Sequence, residues 1–187
     1  EARGVKREDK AVDASRYDIE RACLAALATQ QPVARDLREL IAASIIAVEL
    51  ERCGDYAKGV AKAARRIARC DSGISTFNLA DMDRLARDML ERSTQAFLNR
   101  DVQTAEQVLD DDDRLDRMYN ELLSSTMAAM ASHPQHIECG IWLLHAGHNL
   151  ERIGDRATNI AERVIFVETG DLPGDLNVHD PSQTRAL

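Results

Sequence analysis

Aromatic residues make up only 4% of the 187-residue chain. Glycine and proline number 9 and 4, too few for a loop-rich or collagenous protein. No stretch alternates apolar and polar residues over any length, so the sequence offers no sheet. No apolar run reaches 18 residues, which excludes a membrane-spanning helix in the sequence given. No signal peptide is visible. Basic residues form no dominant face: 24 Lys and Arg stand against 32 Asp and Glu, a formal charge of −8. That balance argues against a nucleic-acid binder. The four cysteines, Cys23, Cys53, Cys70 and Cys139, contain no CxxC pair. Each falls in a helical context, where cysteine behaves as a small buried hydrophobe. A reducing, cytoplasmic compartment is the expectation.

What remains is helix vocabulary: Ala, Leu, Arg, Asp and Glu, with 44% hydrophobic and 30% charged residues. The pattern predicts five helices: Val5 to Gln30, Pro32 to Ala68, Leu79 to Leu98, the stretch after Asn99–Asp101 to Ala131, and Ser132 to Glu168. Pro32 is expected in the first turn of its helix, where proline is tolerated. Gly170 is the expected stop of the last one. The segment Cys70–Asn78 breaks the pattern, and the tail 171–187 is polar and rich in helix breakers.

The chain repeats itself. "LERCGD" at Leu50–Asp55 returns as "LERIGD" at Leu150–Asp155, an offset of 100, and Ala57 matches Ala157. Pro32 matches Pro134. Asp9, Val12 and Asp13 match Asp112, Leu115 and Asp116. The expected organisation is a first repeat over 1–72, a second over 78–170, and a tail. The second copy has an extra helix in front. The first has no counterpart, and the chain opens already in helical pattern, so an upstream helix is expected.

Residues four apart lie on one helix face. Glu51 and Asp55 therefore project together, as do Glu151 and Asp155, Asp9 and Asp13, and Asp112 and Asp116. At 100° per residue, Leu37, Ile41, Val48, Glu51 and Asp55 share one stripe. Ile137, Ile141, Leu144, Glu151 and Asp155 share another. The acids should thus face a neighbouring helix or its edge. One acidic pair means nothing in so acidic a chain, and Arg52 or Arg152 could neutralise one on a solvated face. Two pairs per copy, in equivalent places, carry more weight. Converging carboxylates repel unless a cation lies between them. All-oxygen donors suit Mg²⁺, Mn²⁺ or Ca²⁺, and can hold oxo-bridged iron. Gly54 and Gly154 each cost about 1 kcal/mol in a helix interior; their repetition suggests that a partner helix comes close beside the acids. His148 lies on the second stripe and is expected to be packed and hydrogen-bonded rather than a ligand. Trp142 is expected in the core.

"QPVARDLREL" with "LERCGDYA", and "LERIGDRATNIAERVIF" later, resemble the PhoU family of bacterial phosphate-uptake regulators over about residues 1 to 170. The resemblance implies an all-α fold of two pseudo-symmetric three-helix bundles, the first here lacking its N-terminal helix. It implies a multinuclear iron or zinc cluster in each copy. Carried over, the ligands are Asp9, Asp13, Glu51 and Asp55, then Asp112, Asp116, Glu151 and Asp155. The family often places Asn four residues after the motif Asp. Asn159 fits and Gly59 does not, so a differently shaped first site is expected. Asp36 and Arg38, absent from the second copy, are expected to be structural.

The resemblance also implies a role: a cytoplasmic, non-enzymatic negative regulator, homodimeric, that touches the phosphate importer's ATPase and a sensor histidine kinase. It would meet the membrane only through those partners. Two other readings stand beside it. A ferritin-like di-iron protein needs Glu-x-x-His pairs, and no Glu in this chain has His three residues on. A metal-free helical scaffold is opposed by the doubled acids.

Overall fold

The computed structural model describes residues 2–70 and 77–171, with side chains over 11–70 and 79–171. The described residues are helical, with no strand among them. They form α1 (Ala2–Gln30), α2 (Ala34–Ile67), α3 (Phe77–Asn99), α4 (Val102–Ser132) and α5 (Ile137–Thr169), with a 3₁₀ turn at Pro134–His136. Five helices were expected, and each is present within a few residues of its expected span. The break after Cys70 falls largely, and the tail after Asp171 wholly, outside the described residues.

Local chemistry sets the ends. Asp101 caps α4: its carboxylate accepts the Thr104 N–H at 3.0 Å and the Thr104 hydroxyl at 2.7 Å. Such a cap contributes about 1 kcal/mol. Gly170 stops α5 as expected, at φ 88°, with its N–H donating to the Phe166 carbonyl at 2.9 Å. This is the left-handed closure that glycine adopts without strain. Arg38 adds a second device at that end, donating from Nε and Nη2 to the Val167 carbonyl at 3.1 and 2.9 Å. The expected structural role of Arg38 is therefore to satisfy a carbonyl at the end of another helix. Pro32 does not open α2. The helix starts two residues later, at Ala34, after Val33 in extended backbone. Gln31 (φ 48°) and Ala34 (φ 49°) make the tight reversal between α1 and α2.

α3, α4 and α5 pack on one another as a three-helix bundle, and α1 and α2 form a hairpin joined to it through α2 on α5. α5 is the hub. Its Leu143, Leu150, Ala157, Ile160, Ala161 and Val164 are all at most 2% exposed. α3 brings Met82, Ala86 and Met89, and α4 brings Ala105, Val108 and Leu115, all fully buried. Each large side chain so buried contributes about 1.5–3 kcal/mol. Gly154 earns its place here. A Cβ on it would lie 2.4 Å from Cδ2 of Leu115, so its absence lets α4 close on α5 beside the acids.

Cys23, Cys53 and Cys139 are buried, as expected of small apolar side chains, and burial pushes the Cys53 thiol up to about 12. Trp142 departs from expectation. It lies at the edge between α5 and α2, half-buried, with Arg66 and Lys62 over its ring at 5.3 and 5.7 Å. An indole accepts cations on its face, and α2 brings two of them to this edge.

Candidate metal centre

The stripes lie at an edge, not in the core. Ile41, Ile137 and Ile141 are 43%, 46% and 56% exposed. Leu37, Val48 and Leu144 are partly buried, so the apolar continuation of the acids runs along the edge of a helix contact, the second of the two expected placements. The acids of α5 sit lower: the Glu151 and Asp155 side chains keep 22% and 25% of their surface.

In the second repeat, α4 brings Asp112 and Asp116 towards Glu151 and Asp155. The electrostatics record the convergence. Burial first, then Asp116, Asp155, Asp113 and Glu151, push the Asp112 carboxyl up to about 6. Burial and Asp155 also raise Glu151, opposed by His148. Glu151 Oε2 is buried without a hydrogen-bond donor of good geometry. His148 Nδ1 stands 2.9 Å from it, an ion pair when the imidazole is protonated. His148 was expected to be packed. Instead it is about half exposed, leaning on Glu151 with Tyr119 5.9 Å away between ring centres. Arg152 braces Asp155 at 2.8 Å, and Arg156 stands 3.7 Å from it.

The first repeat is built differently. Arg16 of α1 reaches Glu51 at 3.9 Å and Glu20 at 3.0 Å. Asp55 is 57% exposed and pairs with Lys58 at 2.5 Å. Asp13 is half-buried on α1, and the side chain of Asp9 lies outside the described residues. At the offset that matches Asp13 with Asp116, Arg16 falls where the second copy has Tyr119. One copy thus supplies its own cation beside the motif Glu, and the other supplies a neutral phenol.

The donor chemistry of the second cluster fits a hard cation or an oxo-bridged metal: four carboxylates on two helices, two of them raised by burial and mutual charge, and one buried carboxylate oxygen with only His148 beside it. As placed, however, no three His, Cys, Asp or Glu side chains among the described residues surround one point closely enough to form a ligand shell.

Asn159 does not join the acids. It donates to Glu49 of α2 at 3.3 Å, beside Arg156 at 3.1 Å. Glu49 is 7% exposed. Two residues from Glu51, it points about 200° away round the helix, into α5. The equivalent of Glu49 is Asn149, and it packs on Gly59, where a Cβ would lie 2.5 Å from its Oδ1. The Gly59–Asn159 difference thus belongs to the contact between the repeats. Sequence reasoning missed Glu49 because it sought acids in fours. The signal was a lone acid on the apolar side of its own helix.

Comparison with known proteins agrees with this architecture. The PhoU domain family model matches residues 1–64 and 79–164. The chain is similar to the "Phosphate-specific transport system accessory protein PhoU homolog" of Caulobacter vibrioides, 36% identical over 171 residues, covering 91% of this chain and 74% of that protein. The homologue of the same name in Xylella fastidiosa is 37% identical over 163 residues, covering 87% and 69%. Among solved structures, PhoU from Pseudomonas aeruginosa superposes with TM-score 0.87 at 32% identity, covering 91% of this chain and 82% of that one. The phosphate transport system regulatory protein PhoU from Streptococcus pneumoniae gives 0.83 at 29% identity, covering 91% and 80%.

Proposed function

This chain belongs to the PhoU family, and from that premise we propose that it is a phosphate-transport accessory protein that restrains phosphate uptake and the phosphate-starvation response. The observation that carries this reading is the agreement of name and fold across nearly the whole chain: relatives named for an accessory role and a solved relative named as regulatory. Accessory and regulatory proteins of this kind are not enzymes, and the chain acts by docking.

Its partners in this reading are the importer's ATPase and the cytoplasmic part of a sensor histidine kinase, so it works in the cytoplasm. No helix among the described residues is long and apolar enough to cross a membrane. Exposed apolar side chains in the hollow between α1 and α2, Leu24 (66%) and Ile41 (43%), support docking or self-pairing.

The metal belongs to the same reading. Asp112, Asp116, Glu151 and Asp155 would hold it, with iron or zinc as the expected ion and Mg, Mn or Ca as alternatives. Bound there, the cation would offset carboxylate repulsion and draw α4 and α5 together on their outer side. Asp9, Asp13, Glu51 and Asp55 form the weaker site, since Arg16 already sits beside Glu51.

Deleting the gene in its host tests the role. Phosphate-starvation genes should switch on while phosphate is plentiful, and the wild-type gene should reverse this. Normal phosphate control in the deletion strain would overturn the reading.

A further inference from the structure

Lys62, Arg65, Arg66 and Arg69 line one concave pocket of about 260 Å³ at the C-terminal end of α2. All four are exposed, and none forms an ion pair with a carboxylate of a described residue. This is unusual in a chain with an excess of eight acids. On α3, by contrast, Arg84, Arg87 and Arg92 each stand beside an aspartate of their own helix.

Two structural reasons for the cluster can be weighed. Arg65 and Arg66 fall in the last turn of α2, where the helix dipole favours cations. That accounts for charge near the helix end. It does not account for Lys62 a turn earlier or for Arg69 beyond the helix, and the i, i+3, i+4, i+7 spacing sets all four on one face of α2. Trp142 holds Lys62 and Arg66 over one ring. This fixes the two heads from the α5 side and leaves their N–H groups unspent. Four like charges around one hollow repel, and an anion between them removes the repulsion.

We propose that this pocket binds a small, multiply charged anion bearing phosphate groups, of the pyrophosphate or tripolyphosphate type. Guanidinium forks meet phosphate oxygens in pairs, and Lys62 adds a point charge. The volume is below that of a drug-sized pocket, so it takes phosphate groups rather than a large organic ligand. Its small size favours a soluble anion, and the vesicle arm below separates that from a lipid surface. The inference does not depend on the regulatory reading, because it rests on the pocket alone.

Trp142 is the only tryptophan in the chain and touches two of the four cations, so its fluorescence reports on this site. The 187-residue chain, dialysed against chelator, is titrated at about 50 mM salt with orthophosphate, pyrophosphate and tripolyphosphate. Calorimetry and fluorescence should both show saturable binding, tightest for tripolyphosphate. The double variant Arg66→Ala/Arg69→Ala should weaken it at least about tenfold. Arg84→Ala/Arg87→Ala on α3 should leave it unchanged, and matching melting curves would show that both variants fold. Absence of saturable binding would overturn the proposal, and so would equal weakening by both variants. Binding to vesicles of anionic phospholipid that tripolyphosphate fails to displace would also overturn it, by assigning the cluster to a membrane surface.

Discussion

Glu49 of α2 and Arg156 of α5 form an ion pair at 3.1 Å, with 9% and 12% of their side-chain surfaces exposed, at the contact between the two repeats. Asn159 adds a hydrogen bond to the same carboxylate oxygen. Breaking a buried pair from one side leaves a charge stranded. Glu49→Ala should therefore destabilise the fold by about 3 kcal/mol. Replacing both partners, as Glu49→Leu with Arg156→Met, should recover most of that loss. Chemical denaturation of Glu49→Leu, of Arg156→Met and of the double variant gives the coupling directly. A Glu49→Ala variant as stable as wild type would mean that solvent reaches this contact freely.

Gly154 should resist alanine although alanine is the better helix former. Helix propensity favours the change by about 1 kcal/mol, but the new Cβ meets fully buried Leu115. Overpacking of this kind costs about 1–3 kcal/mol. The expected net result is a modest loss, shrinking when Leu115 is shortened to Val in the same chain. Thermal melts of wild type, the two single variants and the double check it. A stabilised Gly154→Ala single variant would contradict the close approach of α4.

Asp112 gives a pH dependence with a definite sign. Its folded-state carboxyl is pushed up to about 6, with burial the largest cause. The unfolded chain ionises it in the ordinary aspartate range, so the folded state binds the extra proton. The penalty is absent below about pH 4, grows as pH rises from there to about 6, and is complete above that. In chelator-treated protein, Asp112→Asn should therefore raise stability at pH 7.5 by about 1 kcal/mol, after allowance for solvent screening. At pH 4 it should change little. Equal effects at both pH values would show that Asp112 does not feel its neighbours.

Much of this molecule was legible in advance. Helical composition, the breaks at Asn99–Asp101 and Gly170, and the internal repeat gave five helices, but not the starts of α2 and α5. The pairing of acids by fours was also readable, because i, i+4 geometry is local. What was not readable depends on which face meets which helix. Trp142 looked like core by residue type, yet Lys62 and Arg66 hold it at the edge. His148 shared the acidic stripe, and only the fold decided between a buried and an edge position for it. Arg16 was invisible as a neighbour of Glu51, because a contact between helices leaves no period in the sequence. Asn159 carried a family motif position, while its side chain serves Glu49 across the repeats.

In the proposed function, the second repeat would hold the regulator's metal. Metal analysis of protein purified without added metal or chelator tests it most directly, on wild type, on Glu51→Ala/Asp55→Ala and on Glu151→Ala/Asp155→Ala. Wild-type protein should carry iron or zinc. The first double variant should keep most of that metal, because Arg16 and Lys58 already answer Glu51 and Asp55. The second should lose most of it, with both variants still helical by circular dichroism. Full metal content in the Glu151→Ala/Asp155→Ala protein would contradict the account.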